Sequence, residues 1–252
     1  MTDFFKGMVY LMSGFSHLFS KGLKRFILLP MMFNFLLFLG LFYLLYHYAF
    51  PYSHYYINQL PSWLHFLSGL FLVIFAIGFF LLFLSMFTVL FNLVAAPFNG
   101  LLAEKAQILL YKSKIPSLSL TEITIRTIKR QLQFLKYVIP RFLGMIILFF
   151  VPFIHPFYPF LWFLFSAWIL SIQYQDFVMD NNLINFQEMR LKIKEKSMLS
   201  LGFGFFINLA SFVPFLNLIT LPAAVIGGVI FYCEEHTKTG KLLDKRSLGV
   251  RK

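Results

Sequence analysis

Residues Phe26 to Ala103 read FILLPMMFNFLLFLGLFYLLYHYAFPYSHYYINQLPSWLHFLSGLFLVIFAIGFFLLFLSMFTVLFNLVAAPFNGLLA, and these 78 residues contain no Asp, Glu, Lys or Arg. All 22 Lys and Arg and all 10 Asp and Glu of the chain lie outside the stretch. A domain folded in water needs charge on its surface, so such a run cannot enclose a soluble core and is read as solvated by lipid. The rest of the composition agrees. Of 252 residues 59% are hydrophobic, 20% aromatic and only 13% charged, and the mean hydropathy is +0.76. The apolar runs are continuous rather than alternating, which fits helices and not barrel strands. The expected fold class is an all-α integral membrane protein, with residues 1–252 forming a single membrane domain.

Inside the stretch, Phe26 to Phe50 supplies 25 residues. That is about 38 Å of helix against a hydrocarbon core of about 30 Å, enough for one transmembrane helix. Pro30 falls near its start, where a kink is tolerated. Tyr43, Tyr46, Tyr48, Tyr52, Tyr55, Tyr56 and Trp63 form an aromatic belt at the far end. Residues 64–94 form the second predicted span, and Pro97 interrupts the helix after it.

Upstream, residues 3–21 read as an interfacial helix. Asp3, Lys6, Tyr10, Ser13, His17 and Lys21 make a narrow polar stripe, and Phe4, Phe5, Met8, Val9, Leu11, Met12, Phe15, Leu18 and Phe19 fill the rest. Such a helix lies in the membrane surface or packs on other helices. No basic n-region or small-residue cleavage site marks a signal peptide there.

Downstream, charge returns. Eight Lys and Arg crowd residues 105–141, and Ile125, Ile128, Leu132, Leu135 and Ile139 draw an apolar stripe on a basic amphipathic helix at 119–141. It is expected on the membrane surface or against a partner subunit. Two apolar blocks follow, 142–174 and 199–233, and they resemble each other. Val151-Pro152-Phe153-Ile154 is echoed by Val213-Pro214-Phe215-Leu216, and Pro159 by Pro222, at offsets of 62 and 63 residues. Residues 234–252 form a basic tail.

The basic residues fall as 4 before Phe26, 8 in 105–141, 4 in 190–196 and 6 in the tail. If all stay on one side, as the positive-inside rule asks, each late block crosses an even number of times. With a Pro near the middle, each arm is mostly too short for a full span. The predicted solution is two Pro-broken, hemi-penetrating helical hairpins, with cytoplasmic termini; six full spans is the alternative. Backbone at the turns must be buried in protein or line a wet cavity.

Several function classes are excluded or left without support. The net charge of +12 would suit nucleic acid in a soluble protein. Here the cations flank apolar segments and suit anionic lipid headgroups. No nucleic-acid partner, cofactor or metal is therefore expected. Cys233 is the only cysteine, so no intramolecular disulfide or Cys-rich metal site can form. No Walker motif, dinucleotide glycine pattern, zinc-helix motif or nucleophile triad is present, so neither an enzyme nor a self-powered pump is expected.

Gly22-Leu23-Lys24-Arg25 is the sharpest candidate for chemistry. A glycine and two cations sit where the first spanning helix begins, so free N–H groups, the positive helix end and two side-chain charges converge. That combination suits an oxyanion, sulfate or phosphate. Ordinary positive-inside anchoring accounts for the same residues, and by spacing alone it is the commoner case. Asn34, Asn99, Gly100 and Glu104 are the candidate pathway or gating residues, with Asn92 a further polar group on the spans. Interhelical hydrogen bonds explain most residues such as Asn34 and Asn92, and Glu104 is read either as paired with a nearby cation or as a solvated loop charge. Trp162 and Trp168 read as interface or packing aromatics.

Ala95-Ala-Pro-Phe-Asn-Gly-Leu-Leu-Ala-Glu104 and Leu161-Trp-Phe-Leu-Phe-Ser-Ala-Trp-Ile-Leu-Ser-Ile-Gln-Tyr-Gln-Asp176 resemble the signature segments of the CysZ sulfate permease family. Asp180-Asn181, Phe186-Gln-Glu-Met-Arg190 and Arg25-Phe26-Ile27-Leu28-Leu29-Pro30 continue the likeness, which runs from about residue 5 to 235. The resemblance implies a multi-pass inner-membrane protein that admits sulfate for cysteine synthesis. It also implies two long membrane helices, hemi-penetrating hairpins and a homo-oligomer. The family's Gly-Leu-Arg-Arg type of sulfate motif falls on Gly22, Leu23, Lys24 and Arg25. Lys24 keeps the charge of an arginine but lacks its planar fork of donors. A general anion channel and a non-transporting membrane scaffold or assembly factor are the rival functions.

Overall fold

A computed structural model of the chain describes residues 2–44, 46–47, 55, 70, 73–74, 77–78, 80, 98–116, 119–213 and 216–237. Most of the span expected at 64–94 lies outside them, as do Tyr48, Tyr52, Tyr56, Trp63, Asn92, Pro97 and the tail beyond 237. Among the described residues every regular element is a helix. The chain divides into two units, Leu28–Ala96 and a larger one made of Met1–Ile27 with Pro97–Lys252.

Helix α2 (Lys24–Leu44) begins in the larger unit and runs into the smaller. Leu28, Leu29, Met32, Phe35, Leu36, Leu39 and Phe42 are all exposed along it. These positions share one broad face, and Phe38 and Leu44, exposed outside it, carry the apolar surface round more of the helix, the pattern of a helix facing hydrocarbon.

The larger unit contains α1 (Asp3–His17), α3 (98–111), α4 (Leu120–Phe149), a 3-10 turn (Pro152–Phe157), α5 (Tyr158–Asn181), α6 (Phe186–Glu195), α7 (Ser197–Ser211) and α8 (Leu216–Glu235). Its centre is α8, where Ala223, Ala224, Val225, Ile226, Val229 and Phe231 are fully buried. Helices α1, α5 and α7 pack around it. Without a hydrophobic driving force between helices in lipid, association relies on close van der Waals approach through small residues. The contacts have that character. A Cβ at Gly14 of α1 would lie 2.0 Å from the carbonyl oxygen of Ala223, and one at Gly204 of α7 would lie 1.8 Å from that of Ala167. Both neighbours are backbone, so neither can move aside cheaply.

Helix α1 packs through a mixed face of small, polar and apolar residues. Gly7, Tyr10, Leu11, Gly14 and His17 are buried, while Phe5, Met8, Val9 and Met12 face outward together with Asp3 and Lys6. Of the two placements open to an interfacial segment, it takes packing on other helices. Its polar stripe also reaches a buried carboxylate. Lys6, Tyr10 and Lys196 all donate to Glu235 at the end of α8, Tyr10 Oη at 2.5 Å and Lys196 Nζ at 2.6 Å.

Burial pushes the Glu235 carboxyl up, but the hydrogen bonds from Lys196, Lys6 and Tyr10 outweigh it and hold the group at about 2, against an ordinary 4.5. A depressed folded-state pKa contributes stability that is present above the unfolded value and lost as pH falls through the folded one. Wild-type protein is therefore expected to melt higher than Glu235→Gln at neutral pH. That advantage should shrink between pH 4.5 and about 2. Melting curves of both proteins in detergent check this; an advantage that is flat across that window would discard the clamp.

Helix α4 starts at a capping box, with Ser119 accepting from the Glu122 N–H and the Glu122 side chain accepting from the Ser119 N–H. It continues through Pro140 to Phe149. The amphipathic helix expected at 119–141 and the first hairpin arm expected from 142 are thus one continuous helix. Pro140 tolerates this because its ring costs one hydrogen bond and a local kink, not the helix. The stripe of Ile125, Ile128, Leu132, Leu135 and Ile139 is exposed along its length, facing away from this chain.

Helix α5 runs back antiparallel to α4. Arg126 meets Asp180, Arg130 meets Asp176, Tyr137 meets Trp168, Phe142 meets Trp162 and Phe149 meets Tyr158. Val151-Pro152-Phe153-Ile154 lies at the connection between the two helices. Among the described residues, Ile125–Phe149 and Pro152–Asn181 are long and apolar enough to cross a membrane. Length therefore no longer separates hairpin arms from full spans here, and the position of charge along α4 has to decide.

Candidate functional site

The chain leaves α1 through a tight turn. The Leu23 N–H donates to Ser20 O at 3.1 Å, and the Phe26 N–H to Leu23 O at 3.0 Å. Gly22 holds φ +97°, a left-handed conformation that costs glycine little and other residues more. Helix α2 starts two residues later, at Lys24.

The four motif residues divide their tasks. Leu23 is fully buried in the core, whereas Lys24 and Arg25 are exposed on the first turn of α2. The Arg25 guanidinium stacks 4.9 Å from the Phe26 ring centre. Among the described residues neither cation has an acidic partner, and the backbone N–H groups of Lys24 and Arg25 have no acceptor. Unpaired N–H groups at a helix start, the positive end of the helix dipole and two cations form an arrangement that can hold an oxyanion. The Ser20 hydroxyl, before the turn in sequence, is buried and without a hydrogen-bond partner among the described residues.

Helix α3 backs the turn. A Cβ at Gly22 would lie 3.2 Å from Leu109 Cδ1, a tight contact on that side. The two margins of the charge-free run are therefore adjacent in the larger unit. Residues 98–104 form the first turns of α3, with Leu102 and Ala103 buried and Asn99, Gly100 and Glu104 half-buried. The carbonyl of Gly100 accepts from Asn181 Nδ2 at 2.8 Å. Gln107 and Asn182 exchange bonds of 3.2 and 2.8 Å. The end of α5 is thus fastened to α3 through side-chain amides. Glu104 lies 3.9 Å from Lys105, a loose contact between chain neighbours. Asn34 falls within α2, and its side chain lies outside the described residues.

One cluster escaped sequence reasoning. Arg130 donates Nε and Nη2 to Asp176 Oδ1, at 2.8 and 2.5 Å, and Nη1 to Ile184 O at 3.1 Å. One turn earlier Arg126 donates Nε to Asp180 Oδ1 at 2.9 Å and Nη2 to the Asp180 carbonyl. Phe186 covers the Arg130 guanidinium at 5.2 Å. The signal was present as spacing. Two arginines four apart on one helix match two aspartates four apart on another, each pair lying on one face.

Taken together these are the features of an all-α membrane protein with a cationic turn at the start of a lipid-facing helix. The family model described as "Sulfate transporter CysZ/Etoposide-induced protein 2.4" matches residues 10–222, and the chain belongs to that family. Among curated relatives it is 35% identical to a protein of Pectobacterium atrosepticum over 96% of this chain and 89% of the relative. It is 36% identical to one of Pseudomonas fluorescens, over 91% and 94%. A third, from Pseudomonas syringae pv. tomato, is 37% identical over 91% and 92%. All three are named Sulfate transporter CysZ.

Proposed function

We propose that this chain is a sulfate permease of the bacterial inner membrane, working without an ATPase of its own and supplying sulfate for cysteine biosynthesis. The observation that carries the reading is the turn at Gly22. A left-handed glycine and a buried Leu23 fix the backbone, and among the described residues Lys24, Arg25 and their N–H groups stand unpaired at one helix end. The names of the relatives supply the anion, and the turn supplies chemistry fit to hold it. Asn34, Asn99, Gly100 and Glu104 serve as the path or gate beyond the turn.

The late helices enter the membrane as half-depth hairpins with both termini cytoplasmic. In support, Arg141 is exposed on α4 and only Phe142 to Phe149 follow it before the helix ends. Eight residues reach about 12 Å, less than half of a hydrocarbon core of about 30 Å. The outward apolar stripe of α4 supports assembly into a homo-oligomer, since it would otherwise expose Ile128, Leu132 and Leu135 at headgroup depth.

Labelled-sulfate uptake into vesicles containing only this protein, without nucleotide, tests the reading. Saturable uptake is expected. Equal competition by chloride or phosphate would replace it with a general anion channel. Absence of flux, with a stable protein partner in pull-downs, would replace it with a scaffold.

A further inference from the structure

Tyr137 of α4 is flanked by two guanidiniums that come from different helices. The Arg141 guanidinium carbon lies 3.6 Å from the ring centre and that of Arg190, on α6, lies 4.5 Å from it. Both arginines are exposed, and among the described residues neither has an acidic partner. Arg141 spends one N–H on the Tyr137 carbonyl, at 2.6 Å. Most of the five donors on each guanidinium are left over, held in place by stacking on one ring. The ring itself is fixed, because its hydroxyl accepts from Trp168 Nε1 at 3.1 Å.

Next along α4, Phe142 meets the edge of Trp162 at 5.8 Å. Trp162 is also a wall of an open cleft of about 620 Å³, which Ile146, Phe149, Phe163 and Phe212 help to line. The volume lies within the range of about 300–1,000 Å³ usual for ligand sites. Among the lining residues, Asn208 already spends its Nδ2 on the Phe163 carbonyl. The cleft begins about 8 Å beyond Arg141, at Ile146, by the rise of the helix.

We propose that this surface of α4, α5, α6 and α7 is a seat for one anionic glycerophospholipid. Its phosphate is held by Arg141 and Arg190 at the Tyr137 ring, and one acyl chain lies in the aromatic cleft. Charge complementarity selects this occupant. A second copy of the chain would have to bring one of its few exposed carboxylates, such as Glu122 or Glu188, to the guanidiniums while filling the cleft with an apolar surface. Free sulfate would satisfy the guanidiniums but would leave the cleft bare. The lipid satisfies both ends, with the polar and apolar parts in the order in which a phospholipid presents them. The proposal is independent of where sulfate binds.

The test uses tryptophan quenching in the intact protein in mixed vesicles. Phosphatidylglycerol brominated along its acyl chains is expected to quench Trp162 strongly, and equally brominated phosphatidylcholine weakly, with the difference lost in Trp162→Phe. Replacing both arginines, Arg141→Gln with Arg190→Gln, should weaken the phosphatidylglycerol preference about thirty-fold, the effect of two cations at an anionic membrane surface. Arg141→Lys with Arg190→Lys should keep part of it. Equal quenching of wild type by the two lipids overturns the proposal, and that arm needs no variant to fold. So does loss of labelled-sulfate binding by the glutamine variant in lipid-free detergent, which would make the guanidiniums a free-anion site. Exclusion of both bromolipids from Trp162 in step with oligomer formation would give the cleft to a second copy and likewise overturn it.

Discussion

Purified protein carrying Lys24→Ala and Arg25→Ala together is expected to lose saturable sulfate binding, with affinity falling by about a hundredfold for two charge-assisted contacts at an exposed helix end. Its melting temperature should hardly move. Both side chains are exposed, and neither has an acidic partner among the described residues to strand. The anchor reading of the same residues predicts the reverse pattern, with membrane orientation altered and sulfate binding intact. Lys24→Arg separates the two further. It adds a planar fork of donors without changing the charge, so it should tighten binding if the anion is held here and do nothing if the residue only anchors. Gly22→Ala tests the backbone. It strains a turn at φ +97° and presses on Leu109 at 3.2 Å, so it should weaken binding without removing any cation. Isotherms of labelled sulfate on the detergent-solubilised protein read all three. Unchanged affinity in the double alanine variant would move the site elsewhere.

How much of this was legible in the chain follows from the range of each interaction. The solvent of the fold was plain, because a charge-free run of such length has one physical reading. The turn at Gly22 was legible because everything it needs is local: a glycine, an apolar anchor and two cations in sequence. The orientation of α1 was not. Its polar stripe is visible in sequence, but whether Tyr10 and His17 point to water or to protein depends on Phe203, Ala223 and Gly227, which lie about two hundred residues away. The length of α4 was misread for a different reason. A change from basic to apolar composition at residue 142 looked like an element boundary, but one helix can pass from headgroups into lipid without a break. Pro140 marks a spot it tolerates and not an end. The meeting of α3 with the Gly22 turn had support from the expected topology, in which two spans would return the chain to its starting side. Its detail, Leu109 beside Gly22, needed the fold.

Removing Arg130 should do the greatest damage to the folded protein. Arg130 and Asp176 are each only 8% exposed, and Asp176 receives two of the arginine's N–H groups. Breaking a buried pair by deleting one partner costs about 3–5 kcal/mol, because the remaining charge is left buried and uncompensated. Asp180 lies 3.8 Å from Arg130 and is engaged by Arg126, so Arg126 cannot take over Asp176 without releasing Asp180. Arg130→Ala is therefore expected to abolish or sharply lower the yield of monodisperse protein, and Asp176→Ala to do nearly the same. Arg130→Met with Asp176→Leu should recover most of the loss, since replacing both members of a buried pair by apolar residues is often neutral. Melting in detergent measures the series. If the double variant melts no better than the singles, the network matters as a whole through Ile184 and Phe186, and the pair is not the unit. If it melts like wild type yet carries no sulfate, the arginine and aspartate belong to the transport path rather than to the frame. The pairs join the N-terminal half of α4 to the C-terminal end of α5, next to the amide bonds that tie α5 to α3. The same measurement therefore asks whether the hairpin is held rigidly to the helix that backs the cationic turn.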